Sequence, residues 1–463
     1  MKKISAVFLL VLSLAVLMSV AANADTPVEI SSAAELMSMK MDGSYKLVED
    51  IDLTGVEFTP IGTDTAPFTG VFDGNSKRIY GLTFETQGEY IGLFGVCKDA
   101  TIKNVVVDNL LVDISGYTSD QMYISGICAY AFGNCSFENI TVKGSISVKG
   151  SGDGDIYTAG ICAYVESVGG KKIFTSCVNK ARIKAESTGI GATVRSSGIV
   201  ASGEGAYITL CANKGSISVK AKSAAYAAGI SAEFGQKSLE RTYNTANITA
   251  KSEYSDAFAG GLISTTVYSK LIDCYNAGNV YADGGSTSKS GGICAESLMM
   301  NEYSNCYNAG EVTVVKGGHA GSLVATANAN SDKFVSNYVI ESDTPIISKN
   351  PKEGAATSLT QTEMKSDDSF KSFDFDKVWY MAEDGDYLYP MLCGFEIEKA
   401  PDLVDLDEDG SVDDVELIIG FLAEFDGYDD YISVEKIDDN SDGKITALDL
   451  VRFARRLAGW EGY

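Results

Sequence analysis

The chain has 463 residues and a net charge of −26, from 63 acidic against 37 basic side chains. That balance argues against nucleic acid or an anionic membrane as partner. Ten cysteines are too dilute for a disulfide scaffold, no C-x-x-C occurs for zinc or redox chemistry, and there is one histidine.

The N-terminus reads as a secretory signal peptide over residues 1–24. Lys2-Lys3 precede an apolar run from Ala6 to Val20, and Ala22-Asn23-Ala24 supplies small residues for cleavage after Ala24. The run is short for a membrane span, and no later stretch qualifies as one. No lipid-acceptor Cys follows it. The mature chain is therefore expected to be secreted and extracellular, without membrane insertion. Residues 25–90 read as an N-terminal cap to what comes next.

Residues 91–345 repeat. Gly126-Ile127-Cys128-Ala129 recurs from Gly160, Gly198, Gly229, Gly261 and Gly292, with weaker copies from Gly92 and Gly321, at a spacing of roughly 29 to 38 residues. A second phrase follows each copy, as in Cys177-Val178-Asn179, Cys211-Ala212-Asn213 and Cys274-Tyr275-Asn276. A third closes the unit, as in Ile183-Lys184-Ala185 and Ile248-Thr249-Ala250. All three have a period of two, so they predict strands. No helical period intervenes, which excludes TPR and ankyrin arrays. With 47 glycines and only 7 prolines, the pattern predicts a mainly β chain: a parallel β-solenoid, or β-helix, in which identical positions stack about 4.8 Å apart.

Several expectations follow for the columns. Ile127 and Ala129 should share the inward face. Gly215, Gly278 and Gly310 should sit at corners with positive φ. Asn179, Asn213, Asn244, Asn276 and Asn308 should form a buried amide ladder. Cys177, Cys211, Cys274 and Cys306 should be small apolar filler, with Cys177–Cys211 and Cys274–Cys306 within disulfide reach. Tyr243, Tyr275 and Tyr307 should point outward on consecutive coils. They would serve either as a platform for sugar rings, making plant cell-wall polysaccharide a partner, or as stacked aromatics packed beneath a loop.

Residues 346–395 read as a C-terminal cap, and residues 396–463 carry two calcium loops. The first places Asp405, Asp407, Asp409 and Glu416 at loop positions one, three, five and twelve, with Gly410 at six. The second places Asp438, Asn440, Asp442 and Asp449 likewise, with Gly443 at six. Ser411 and Lys444 give the position-seven carbonyls, and Asp413 and Thr446 take position nine. Oxygen donors at this spacing wrap a hard cation, so two Ca²⁺ ions are expected. Helical patterning appears only after each loop, from Val415 to Phe425 and from Ala447 to Ala458, while Pro401 precedes the first.

This loop-then-helix unit, twice over, resembles the type I dockerin. The resemblance implies a small α-helical calcium-folded module that docks onto a cohesin domain of a scaffold protein, as in the cellulosomes that degrade plant fibre. By that resemblance Asp414, Val415, Ala447 and Leu448 would contact the cohesin. Glu416 replaces the family's usual Asp and should still chelate. The coil region, with its Gly92-Leu93-Phe94-Gly95 and Cys-Tyr-Asn-Ala-Gly runs, resembles the GLUG-repeat β-helix proteins of bacterial surfaces. Asp50-Ile51-Asp52-Leu53 and Phe68 to Asn75 look like that family's leading segment. Phe373 to Trp379, with Tyr389-Pro390, looks like its trailing one.

No catalytic residues can be named. His319 opens a late repeat and reads as a corner residue. Arg182-Ile183-Lys184 echoes a polygalacturonase motif, but it lies in the wrong order relative to Gly318-His319-Ala320, and Ile183 is an ordinary core position. Glu233 and Glu296 hold equivalent outward positions in separate coils. The reading is a secreted component that docks through its tail and displays the solenoid for adhesion, glycan binding or spacing. The alternative is a polysaccharide lyase or glycoside hydrolase with its site on the coils.

Overall fold

The computed structural model describes residues 26–85, 88–117, 121–166, 169–381 and 388–395. The segment read as a signal peptide, the two loops read as calcium sites and the pairs Asp414-Val415 and Ala447-Leu448 lie outside the described residues. The chain is mainly β, a parallel β-solenoid whose second wall alone stacks nine strands. Among the described residues the α-helix is a single short one, Ala33–Met37, with Leu36 buried in the core.

One coil shows the plan. The first wall is Ala225–Ala228, and the second is Ser231–Gly235, reached through the corner Gly229-Ile230. The third is broken into Ser238–Glu240, Tyr243–Asn244 and Ile248–Ser252. Every strand pairs in parallel with its equivalent one coil on: Ala225 with Ala257, Ser231 with Ile263, Asn244 with Asn276, Ile248 with Val280. Pairing in this direction begins at Val28–Ile30, against Ser44–Leu47. Residues 25–90, read from sequence as a cap, thus include ladder strands of their own, the first at Val28–Ile30.

The amide ladder forms as expected. Nδ2 of Asn179 donates to Oδ1 of Asn213 at 2.8 Å. Asn213 to Asn244, Asn244 to Asn276 and Asn276 to Asn308 follow at 2.7 Å each. The same nitrogens also donate to carbonyls two residues on, at 2.8 to 3.0 Å. All five side chains are fully buried, and a buried amide left unpaired would cost about 1–3 kcal/mol. The cysteine column is buried beside it, and all ten cysteines are free thiols. Burial pushes the thiols of Cys177 and Cys274 well above their ordinary range, so they act as filler.

Two expectations about corners are corrected. Ile127 and Ala129 do not share a face. The chain turns at Gly126-Ile127, so Ile127 and Cys128 both enter the main core, while Ala129 packs in a separate cluster on the outside. Gly215, Gly278 and Gly310 do not adopt positive φ. They are glycine because coils approach too closely there: a Cβ on Gly278 would lie 1.9 Å from the Ala246 carbonyl oxygen. One column of left-handed positions is instead formed by ordinary residues just before the second phrase. Asn104, Asn139, Ser176, Leu210, Arg241, Asp273, Asn305 and Ser336 have φ between 45° and 54°. Such backbone costs roughly 1–2 kcal/mol per residue, and in-register neighbours hold it.

The recurring Gly-Ile glycine is fixed by the amide ladder. A Cβ on Gly261 would meet the Gly292 carbonyl oxygen at 2.0 Å and Asn276 Cγ at 2.4 Å. The corner between the first two walls thus presses directly on the Asn strand of the third. Gly261→Ala should therefore lower stability by about 3 kcal/mol, read as a reduced urea midpoint with an unchanged slope.

Candidate functional site

The first and second walls meet at a re-entrant angle over that Gly-Ile corner, so their outward side chains touch. The first wall carries a register column of Tyr90, Tyr123, Tyr157, Arg195, Tyr226, Phe258, Lys289 and His319. The second carries Tyr130, Tyr164, Ser202, Glu233, Thr265, Glu296 and Thr326. Together they line a groove along the coils.

The groove has an aromatic half and a charged half. Tyr90, Tyr123 and Tyr157 stack at 5.4 and 5.2 Å between ring centroids, and Tyr130 stacks on Tyr164 at 5.2 Å. The two stacks interlock edge to face, Tyr123 against Tyr130 at 5.4 Å and Tyr157 against Tyr164 at 5.3 Å. Small residues, Ala129, Ala159, Ala163 and Ala201, make the floor beneath them. Burial pushes the Tyr157 phenol up to about 12.

Arg195 then bridges coils. Its Nε donates to Glu233 at 2.6 Å and its Nη1 to Asp155 at 2.9 Å. Its guanidinium lies 5.1 Å from the Tyr157 ring and 5.6 Å from Tyr226. Burial works against its charge, but Glu233 and Asp155 hold it protonated above the ordinary range. Further along, Lys289 sits 4.3 Å from the Phe258 centroid and pairs with Glu296 across the corner. His319, a strand residue here and not at a corner, is pushed down by burial and by Lys349 and Lys289. Glu296 and Thr326 also border a cleft of about 430 Å³ at the distal end of the second wall, with the Asn328–Asn330 turn.

The sequence-based candidates distribute differently. Glu233 and Glu296 do share one column, separated by Thr265, and each is engaged by a cation. Ile183 is a core residue, and Lys184 pairs with Glu186 at 3.2 Å on the surface. Among the described residues no group of three or more His, Cys, Asp or Glu is placed to hold a metal ion. No described helix is long and apolar enough to cross a membrane.

Tyr243, Tyr275 and Tyr307 do stack, at 4.8 and 5.0 Å with rings within 3° of parallel. They are not an open platform: none is more than 7 % exposed. After the last coil the chain folds back along this flank. Phe370 and Phe373 cover Tyr338 and Tyr307, Trp379 covers Tyr307 and Tyr275, and Phe395 covers Tyr243. Trp379 Nε1 also donates to Asp273 at 3.4 Å. The sequence reading held this covered stack as one of its two alternatives but did not identify the covering residues. It missed the groove although Tyr123-Ile124-Ser125-Gly126-Ile127-Cys128-Ala129-Tyr130 and Tyr157-Thr158-Ala159-Gly160-Ile161-Cys162-Ala163-Tyr164 bracket the recurring phrase with tyrosines.

No protein-family model matches the sequence, and no curated protein matches it. The crystal structure of "a putative immunoglobulin A1 protease from Bacteroides ovatus" is similar at 16% identity and a TM-score of 0.38, over 80% of this chain and 93% of that one. So distant a likeness carries no argument about activity.

Trp379 is fully buried at the centre of the flanking segment. Trp379→Ala should cost that segment about 3–5 kcal/mol. Limited proteolysis should then cut within residues 346–395 and leave the coils intact; cuts inside the coils would contradict this packing.

Proposed function

We propose that this protein is a secreted display module. It docks by a calcium-folded, dockerin-like tail onto a cohesin-bearing scaffold, and it binds glycan along the groove between its first two walls. The observation that carries the second part is the groove itself. The partly exposed Tyr90, Tyr130 and Tyr164 and the paired charges of Arg195 and Lys289 line up over consecutive coils, a repeat suited to an extended chain. The first part rests on the two calcium loops, with Asp405, Asp407, Asp409 and Glu416 in one and Asp438, Asn440, Asp442 and Asp449 in the other.

The geometry of the flanks supports combining the two. Each Gly-Ile corner backs onto the Asn ladder, and the tyrosines beside those Asn residues face the other way. The described chain ends at Phe395 against Tyr243, on the flank away from the groove.

A second reading, a polysaccharide lyase or glycoside hydrolase, draws on Glu233 and Glu296 in one groove wall. Their strands lie two steps, about 9.6 Å, apart, near the upper limit for carboxylates that flank a glycosidic bond with inversion.

Two measurements test the proposal on the full chain. Calcium chelation should abolish capture by an immobilised cohesin while the strand signal of the coils persists; capture that survives chelation would refute the docking mode. Incubation with insoluble cellulose, xylan, mannan and pectin should give retention without released sugar. Release of reducing or unsaturated products would favour the enzyme reading.

A further inference from the structure

We infer that the third wall carries a docking face for a linear carboxylated polysaccharide, separate from the groove. In a chain of net charge −26, four neighbouring segments, 145–150, 182–187, 217–222 and 248–253, invert the sign. They hold six basic side chains, Lys149, Arg182, Lys184, Lys220, Lys222 and Lys251, against Glu186 and Glu253. Ile146, Ile183, Ile217 and Ile248 point into the core, so the alternate positions stand on the outer surface. Lys149, Lys184, Lys220 and Lys251 are exposed there.

This arrangement is unfavourable for the protein alone. Lys220 and Lys251 are direct register partners, and like charges set opposite one another on neighbouring strands repel. Glu186 lies next to Lys220 in the same column but is engaged by Lys184 at 3.2 Å. Lys149, Lys220 and Lys222 pair with no described acidic side chain. In the groove, by contrast, Arg195 and Lys289 are each held by a carboxylate. Asp113 and Asp283 bound the basic face on the coils before and after it. A bound polyanion would relieve the repulsion.

Spacing and lining select the partner. Positions in one column recur about every 4.8 Å, close to the rise of one ring along an extended polysaccharide. A uronic-acid chain laid across the strands therefore offers one carboxylate per step. Ser147, Ser218 and Thr249 share a column with Lys184 and present hydroxyls that can exchange hydrogen bonds with ring hydroxyls. The four segments carry no aromatic side chain on which bases could stack, which disfavours nucleic acid. The negative charge elsewhere on the molecule does not forbid this contact. It is screened beyond about 8 Å at physiological salt, and the four strands span about 14 Å.

The test measures depletion of the full chain by bead-bound polygalacturonate. The same polymer fully methyl-esterified is the uncharged match, and bead-bound polyphosphate is the polyanion without sugar. Polygalacturonate should retain the wild type and release it as salt rises. Lys149→Gln, Lys220→Gln and Lys222→Gln together should lower that affinity about tenfold and leave the unfolding temperature unchanged or higher. Lys316→Gln, Lys365→Gln and Lys371→Gln together, exposed lysines elsewhere, should leave retention unchanged. No retention of the wild type, or the same affinity in the first triple variant, would overturn the proposal. Equal loss in both triple variants would reduce the effect to bulk charge and overturn it too. Equal retention on the methyl ester would overturn the carboxylate requirement, and equal retention on polyphosphate the carbohydrate class. Loss of self-association by the first variant, with retention unchanged, would assign the face to a second copy of this acidic chain.

Discussion

Asn179, Asn213, Asn244 and Asn276 each donate to the next Asn one coil away, and all five Asn of the ladder donate to a carbonyl two residues on. A coil that slipped by one residue would break the amide-to-amide bonds to its neighbours and turn every inward side chain outward. The ladder also limits its surroundings. The Gly-Ile corners pack against the amides so closely that a Cβ at Gly160, Gly198, Gly229, Gly261 or Gly292 would overlap them. The amide column and the glycine column therefore specify one another across the narrowest part of the coil.

That narrow waist organises the outside as well. Pressing the corner inward makes the first and second walls re-entrant, and their outward columns are brought into contact. The tyrosine stacks fill the angle at one end, while the Arg195 and Lys289 ion pairs occupy the rest. On the opposite flank the same waist leaves a flat row of tyrosines, covered by the returning C-terminal segment around Trp379. The tyrosine and ion-pair columns on one side and the covered tyrosine row on the other thus border the same repeated contact.

Much of the fold was legible because a solenoid writes its columns directly into the sequence. The Asn ladder, the buried Cys column and the inward Ile183-Ala185 and Ile248-Ala250 pairs all stand where periodicity placed them. Two kinds of feature were not legible. Corners were misplaced because close approach and positive φ both select glycine; Leu210 and Arg241 occupy the left-handed region without it. Contacts between segments far apart in sequence carry no periodic signal, so the tyrosine row was legible as packed beneath a loop, but not that Phe370, Phe373 and Trp379 supply the cover. The groove required knowing that the corner bends inward, which no count of residues reports.

The in-register stack is tested most directly by removing one coil. Ile146 and Ile183 are register partners, so deleting residues 146–182 removes one full period and rejoins equivalent positions. That variant should keep the far-ultraviolet strand signal and unfold cooperatively, whereas deleting residues 146–163 alone should prevent folding. Equal tolerance of both deletions, or equal collapse, would contradict a structure held together by columns of matched residues.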